Sequence, residues 1–245
     1  MRLPGWMPRS RGSTLSWLTI AAAAALVVVV VILARKGYNF LNIIPMVIYV
    51  AILLYAIILH EIAHGAVAER IGDKTARRMG RLTLNPLPHV DPFGTIILPI
   101  ILYFTVGFSF GYAKPVPVNP LFFRHPWKGL KGFALTAAAG PAVNLAQVLL
   151  YVVLYRMGSA FGWSMLMFVG QIGALINLYL AVLNLIPIPP LDGSKILALF
   201  LPRDIVEQYL NAGRFGFIII FVLVYAGAFR VLGWIVTGLL TPLLG

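Results

Sequence analysis

Apolar residues run in long blocks along this chain, and polar residues collect between the blocks. Residues 15–34, 41–71, 132–156, 163–186 and 215–240 each form a stretch with very few charges. A helix needs about 20 such residues to cross a bilayer. A shorter apolar run, 95–110, is interrupted by Pro99 and Gly107. Basic residues flank it on both sides, so it is expected to dip into the bilayer and return. Such irregular backbone is tolerated only where protein or a wet cavity covers it. The pattern therefore predicts an all-α polytopic membrane protein, with about five to six transmembrane helices and a re-entrant or extended segment. No internal repeat breaks the chain, and 1–245 reads as a single membrane-embedded domain.

Composition sharpens this picture. Apolar residues make up 60% of the chain and charged residues only 11%. A soluble domain of this length could not cover itself with so few charges. The formal charge of +12 would suggest nucleic acid on a soluble fold. Here the charge sits between apolar runs, the signature of cytoplasmic loops, so no nucleic-acid partner is expected. Arg2, Arg9 and Arg11 precede the first run. Arg70, Lys74, Arg77, Arg78 and Arg81 follow the second. Both clusters place the N-terminus in the cytoplasm. The first run is too long for a signal-peptide core and is followed by Arg35-Lys36, so it is expected to stay as a helix. There is no cysteine, which removes disulfides, thiolate metal ligands and thiol nucleophiles.

The candidate chemistry sits near the cytoplasmic end of the second run. His60-Glu61-Ile62-Ala63-His64 puts three ionisable residues where each is costly, and such residues inside a span mark function by default. Positions i and i+4 share a helix face, so both imidazoles can address one metal ion. Glu61 lies beside them, within reach of a water at that metal. This is the His-Glu-x-x-His pattern of zinc hydrolases. With four His and three Glu in 245 residues, its chance occurrence is on the order of one in a thousand.

A catalytic zinc takes three protein ligands and leaves a position for water. Glu69, Asp73, Asp204 and Glu207 sit among basic residues, where solvated ion pairs account for them, and His125 lies in a basic loop. Asp192, His89 and Asp91 remain. Asp91 precedes Pro92 and has the form of a helix N-cap. Asp192 could also cap a helix, but it lies in 184–193, where Pro187, Pro189 and Pro190 break the helix between two apolar runs. Broken helices of this kind line sites within membranes. Residues alone favour Asp192 and leave His89 and Asp91 open as alternative metal or gating residues. A further signal is Lys114-Pro115-Val116-Pro117-Val118. In an extended segment the prolines strip donors from one edge and leave Val116 and Val118 to donate on the other. A polyproline-like loop explains the same residues equally well.

Three motifs, in order on successive runs, carry a resemblance to the site-2 protease family of intramembrane zinc metalloproteases. They are His60-Glu61-Ile62-Ala63-His64, then Gly140-Pro141-Ala142-Val143-Asn144, then Asn184 through Leu191-Asp192-Gly193. The likeness covers a core of about 38–200 and leaves an extra N-terminal helix at 15–34 and a C-terminal helix at 215–240. It implies Zn2+ held by His60, His64 and Asp192, with Glu61 as catalytic base. It implies that Asn144 lies near the metal and helps hold the substrate or the oxyanion, and that 111–119 is the family's extended segment beside the active site. The chain departs from larger members in having no room for a PDZ domain, and so resembles a small form. The function implied is hydrolysis of peptide bonds in or near transmembrane segments. The expected partners are a membrane-protein substrate and the lipid bilayer of a prokaryotic cell. The rival class is a non-proteolytic transporter or metal-binding scaffold, which would have no use for Glu61. A haem protein fits poorly, because two histidines on one helix face cannot ligate opposite sides of one haem.

Overall fold

A computed structural model describes residues 40–91, 94, 113–216, 218–219, 222 and 226–245. The runs at 15–34 and 95–110 lie outside the described residues. The chain divides into two compact units, Met1–Ile48 and Tyr49–Gly245. Of the first, only the opening turns of a helix are described. The second holds His60, Glu61, His64 and Asp192.

Every regular element among the described residues is helical. Helix α1 is Phe40–Arg70, α2 is Thr75–Arg78, α3 is Leu130–Phe161 and α4 is Ser164–Leu185. Short helices α5 (Asp192–Leu197) and α6 (Arg203–Asn211) follow, and α7 (Ala228–Leu244) ends the chain. Three of these, Ile43–Arg70 within α1, then α3 and α4, are long and apolar enough to cross a membrane. Only 22% of the most apolar part of α1 is buried inside the protein. The outward apolar surface of α1, with Met46, Val47, Tyr49 and Val50 exposed, has lipid as its natural solvent. The protein is a helical membrane protein. Of the expected last run, 215–240, the C-terminal part lies in α7, and 217, 220–221 and 223–225 lie outside the described residues.

Helices α3, α4 and α7 share a core of Val148, Ala174, Leu178, Leu232, Val236 and Leu240. Within α3, Thr136, Ala137, Gly140, Pro141 and Asn144 are buried. Small residues here let neighbouring helices approach closely, as lipid-embedded packing demands. The amides follow the same logic. Asn144 and Asn177 have no exposed surface and bond to each other at 2.8 Å, which satisfies polar groups that hydrocarbon cannot.

The Pro-rich break after α4 is held by its own bonds. The Tyr209 hydroxyl of α6 donates to Pro187 O at 2.7 Å. Leu191 N–H donates to Ile188 O, and Ser194 Oγ donates to Leu191 O at 2.6 Å. Gly193 sits hard against the end of α4, where an added Cβ would lie 2.2 Å from Leu185 O. No side chain fits, so glycine is required to start α5 at Asp192.

The loop below α1 corrects one expectation. Asp73, expected among solvated ion pairs, is fully buried. Its carboxylate accepts from Thr75 N–H and Thr75 Oγ1 on one side and from Asn119 N–H at 2.6 Å on the other. It thereby ties the end of the extended segment 113–119 to the turn after α1. Glu69 does form the expected ion pair, with Arg77. Replacing Asp73 with Ala leaves these donors buried and unpaired, at a cost of about 1–3 kcal/mol. Thermal unfolding of Asp73→Ala in detergent should show a lower midpoint than wild type, with or without metal.

Candidate metal centre and active site

His60 and His64 lie one turn apart on α1, and both are buried, at 6% and 8% exposure. Asp192 opens α5 and is 5% exposed. Its carboxylate does not cap its own helix. Instead Asp192 Oδ2 lies 3.1 Å from His60 Nε2 and 3.0 Å from His64 Nε2. The two Nε2 atoms are 3.0 Å apart. The other oxygen, Oδ1, accepts from Lys195 Nζ at 2.9 Å.

Hydrogen-bond chemistry fixes what this triangle can do. The Thr136 carbonyl can only accept, and it lies 2.7 Å from His64 Nδ1. His64 Nδ1 therefore carries the proton, and the neutral ring presents a bare lone pair at Nε2. His60 Nδ1 meets Asn144 Oδ1 at 2.6 Å, which leaves its Nε2 bare as well. Three acceptors thus converge in a buried place. A proton on one ring could satisfy one pair of them, but not all three at once. A metal cation satisfies all three. Tetrahedral zinc at bond lengths of about 2.0–2.1 Å sets neighbouring ligand atoms about 3.3 Å apart, close to the separations found. Among the described residues, His60, His64 and Asp192 are the group of His and carboxylate side chains able to hold a metal ion.

Gly140 forms the floor of this triangle. A Cβ built there would lie 2.5 Å from His60 Nε2, His60 Cε1 and His64 Nε2. The Gly140-Pro141 pair inside α3 thus serves the site directly. Glycine admits the imidazoles, and Pro141 removes one helical N–H donor.

Glu61 turns toward the extended segment 113–119, where its Oε2 accepts from Val116 N–H at 2.8 Å. Residues 113–119 form neither helix nor strand, and Asn119 at their end has extended backbone. Val116, however, is buried at 7% exposure, and its donor is engaged by Glu61. Val118 packs against Ala68, Ile71 and Phe123. Arg81, one of the basic residues that follow the second run, is 5% exposed. Its Nη2 donates to the carbonyls of Lys114 at 2.5 Å and Pro115 at 3.2 Å. Burial pushes the guanidinium pKa down, and the charge of Glu61 draws it back up. Lys114 N–H donates to His89 O at 2.9 Å. The segment is therefore pinned at 114, 115, 116 and 119.

The structure does not bring His89 and Asp91 to the triangle. His89 is buried, and its Nε2 lies 3.0 Å from Thr83 O. Asp91 Oδ1 accepts from Gly94 N–H at 2.7 Å, the bond of an N-cap to its third helical residue. Asn144 differs from expectation too. Its amide group donates to Asn177 Oδ1 at 2.8 Å and Ala56 O at 3.4 Å, and its oxygen faces His60. Its hydrogen bonds all go to protein groups, one of them on His60. Two residues near the site, Asn177 and Arg81, were not among the sequence candidates for it. An amide buried in an apolar run was the available signal for Asn177. Nothing in local sequence marks Arg81.

An all-helical membrane protein with a buried His-His-carboxylate cradle beside a glutamate has the site of a zinc metalloprotease. Comparison with known proteins agrees. The chain is 37% identical over 196 residues to YwhC of Bacillus subtilis, an alignment covering 77% of this chain and 84% of that one. It is 33% identical over 181 residues to Rip2 of Mycolicibacterium smegmatis, covering 71% and 65%. It is 29% identical over 143 residues to MJ0611 of Methanocaldococcus jannaschii, covering 57% and 63%. The name of each assigns it provisionally to the zinc metalloproteases. No family model and no solved structure matches the chain. The chain belongs to the site-2 protease family of zinc metalloproteases.

The contact at Gly140 makes a sharp test. Gly140→Ala should fold into membranes, since alanine is at home in a helix, yet bind zinc at least tenfold more weakly. Metal content after purification, read beside the unfolding midpoint of the metal-free protein, checks both halves.

Proposed function

We propose that this protein is an intramembrane protease that hydrolyses peptide bonds in or near transmembrane segments of other membrane proteins. The observation that carries the reading is the buried triangle of His60 Nε2, His64 Nε2 and Asp192 Oδ2, set on a membrane-spanning helix beside Glu61. At 1.5 Å per residue, His60 and His64 lie about 15 and 9 Å along α1 from Arg70 at its basic end. With a hydrocarbon core of about 30 Å, that depth lies within the half of the bilayer next to the basic loops. By the charge rule this is the cytoplasmic half, which puts the N-terminus in the cytoplasm. The named relatives come from bacteria and an archaeon, which supports a prokaryotic cell membrane.

His60, His64 and Asp192 hold the zinc. When bound, zinc supplies Lewis acidity that polarises the scissile carbonyl and acidifies water. Glu61 takes a proton from the attacking water and returns it to the departing amine nitrogen. Val116 N–H holds Oε2 of Glu61, so Oε1 is the oxygen that takes the proton. Lys195 engages Asp192 Oδ1 and leaves Oδ2 to the metal.

A helical substrate shields its carbonyls in its own hydrogen bonds, so it must unwind before attack. The unwound strand then needs partners. Residues 116 and 118 of the extended segment share one edge, the edge that faces Glu61, and the prolines at 115 and 117 have no N–H to offer the other. Substrate pairing with the Val116 carbonyl and the Val118 backbone brings an extended peptide alongside the catalytic glutamate.

Two measurements test this reading. Glu61→Gln should keep its zinc and lose cleavage of a single-span test substrate by at least about a hundredfold; equal cleavage by both proteins would sink the assignment. Val116→Pro removes the donor to Glu61 and disturbs the edge. It should cut cleavage of the same substrate by more than tenfold at unchanged zinc content, and unaltered cleavage would remove the segment from the mechanism.

A further inference from the structure

We infer that Asn177, on α4, is a positioning residue for the metal, acting through Asn144 to set which nitrogen of His60 faces the site. The inference rests on the reading of His60 as a metal ligand. The reasoning starts at a group whose chemistry admits one choice. Gly173 O is a backbone carbonyl and can only accept. Asn177 Nδ2 lies 2.9 Å from it, so Asn177 must present its amide oxygen on the opposite side. That oxygen is 2.8 Å from Asn144 Nδ2. Asn144 must therefore turn its NH2 group toward α4 and its own oxygen toward α1. There Asn144 Oδ1 meets His60 Nδ1 at 2.6 Å. An amide oxygen can only accept, so His60 Nδ1 carries the proton and Nε2 is left bare. Each bond dictates the polarity of the next, from a carbonyl on α4 to the lone pair of a ligand on α1.

Burial makes the relay binding. Asn144 and Asn177 are both fully buried, so water cannot substitute for a missing partner, and a wrong amide orientation would oppose like groups in hydrocarbon. His64 needs no such device, because its Nδ1 reaches the Thr136 carbonyl directly. The two ligands of one motif are thus oriented by different means: one by a backbone carbonyl of α3, the other by a two-amide chain anchored on α4. Partners that orient metal-bound histidines commonly contribute tenfold to a hundredfold in metal affinity. The side-chain hydrogen bonds of Asn177 run to Gly173 O and Asn144 Nδ2, so its effect on the metal triangle passes through Asn144.

The test uses the full-length protein in detergent. Zinc affinity is measured by chelator competition, and ligand geometry by the visible absorption of the cobalt-substituted protein. Four proteins are compared: wild type, Asn177→Ala, Asn177→Asp and His64→Ala. Asn177→Ala should bind zinc about tenfold to a hundredfold more weakly and shift the cobalt spectrum. Asn177→Asp, neutral in this buried site, donates its O–H to Gly173 O and keeps an oxygen facing Asn144 Nδ2, so it should recover most of the affinity and the wild-type spectrum. A purely packing role for Asn177 predicts the same loss in both variants, or a lowered unfolding midpoint of the metal-free protein with no spectral change; either result overturns the inference. Wild-type affinity and spectrum in Asn177→Ala overturn it as well. Zinc binding by His64→Ala equal to wild type would instead refute the site on which the inference rests, so the two failures are distinct. Should Asn177→Ala not fold, Asn144→Asp gives a second reading. It places a carboxylate directly on His60 Nδ1 and removes the link to α4, so a further Asn177→Ser change should then alter affinity less than threefold. A larger change overturns the relay.

Discussion

Three hydrogen-bond acceptors about 3 Å apart, with no donor among them, are the arrangement the rest of this structure serves. Such a cluster is unfavourable in water and more so in a low-dielectric interior, because bare lone pairs repel and no solvent screens them. It persists because each acceptor is fixed from behind. Thr136 O and Asn144 hold the two rings by their Nδ1 atoms. Lys195 holds the far oxygen of Asp192. Gly140 leaves the space the rings occupy, and Gly193 lets α5 begin against α4. A cation placed among the three acceptors would satisfy all of them at once, which couples metal binding to the order of this region.

The membrane makes the arrangement demanding. In a soluble enzyme, a stray polar atom near the site finds water. Among buried helices it must find protein. Asn144, Asn177, Thr136 and the Pro-rich break show how this is managed, with side-chain amides paired to one another and freed backbone groups paired to nearby side chains. Tyr209 capturing Pro187 O is one case, and Ser194 capturing Leu191 O is another. The buried amides Asn144 and Asn177 lie beside the metal site, and the outward surfaces of α1, α3 and α4 are left to lipid.

Much of this was legible in the sequence, for identifiable reasons. Helices α1, α3 and α4 were announced by apolar run length, which depends on the bilayer and not on tertiary detail. His60 and His64 were legible because i,i+4 spacing is a local geometric fact. Asp192 was favoured because few acids lie near a helix break, although its possible role as an N-cap was equally visible, and only tertiary contacts separate the two. What could not be read depends on which residues of distant segments meet. Asp73 and Arg81 stand in a basic loop and look like solvated charges. Their burial follows from the extended segment folding back over them, and no periodicity encodes that. Asn144 was placed near the metal through resemblance alone. Its commitment to His60 and Asn177 is visible only once α1, α3 and α4 are set side by side.

The extended segment shows how position and chemistry are joined. Arg81 gathers two consecutive carbonyls, and Asp73 takes the N–H of Asn119. Between these anchors the alternating prolines offer no donors of their own. The chain is held at both ends, and Val116 N–H is presented to Glu61. That bond orients the carboxylate and fixes which of its oxygens is turned away from the segment. The backbone that steadies the glutamate is itself held by Arg81 and Asp73, so a change that loosens the segment acts on Glu61 as well.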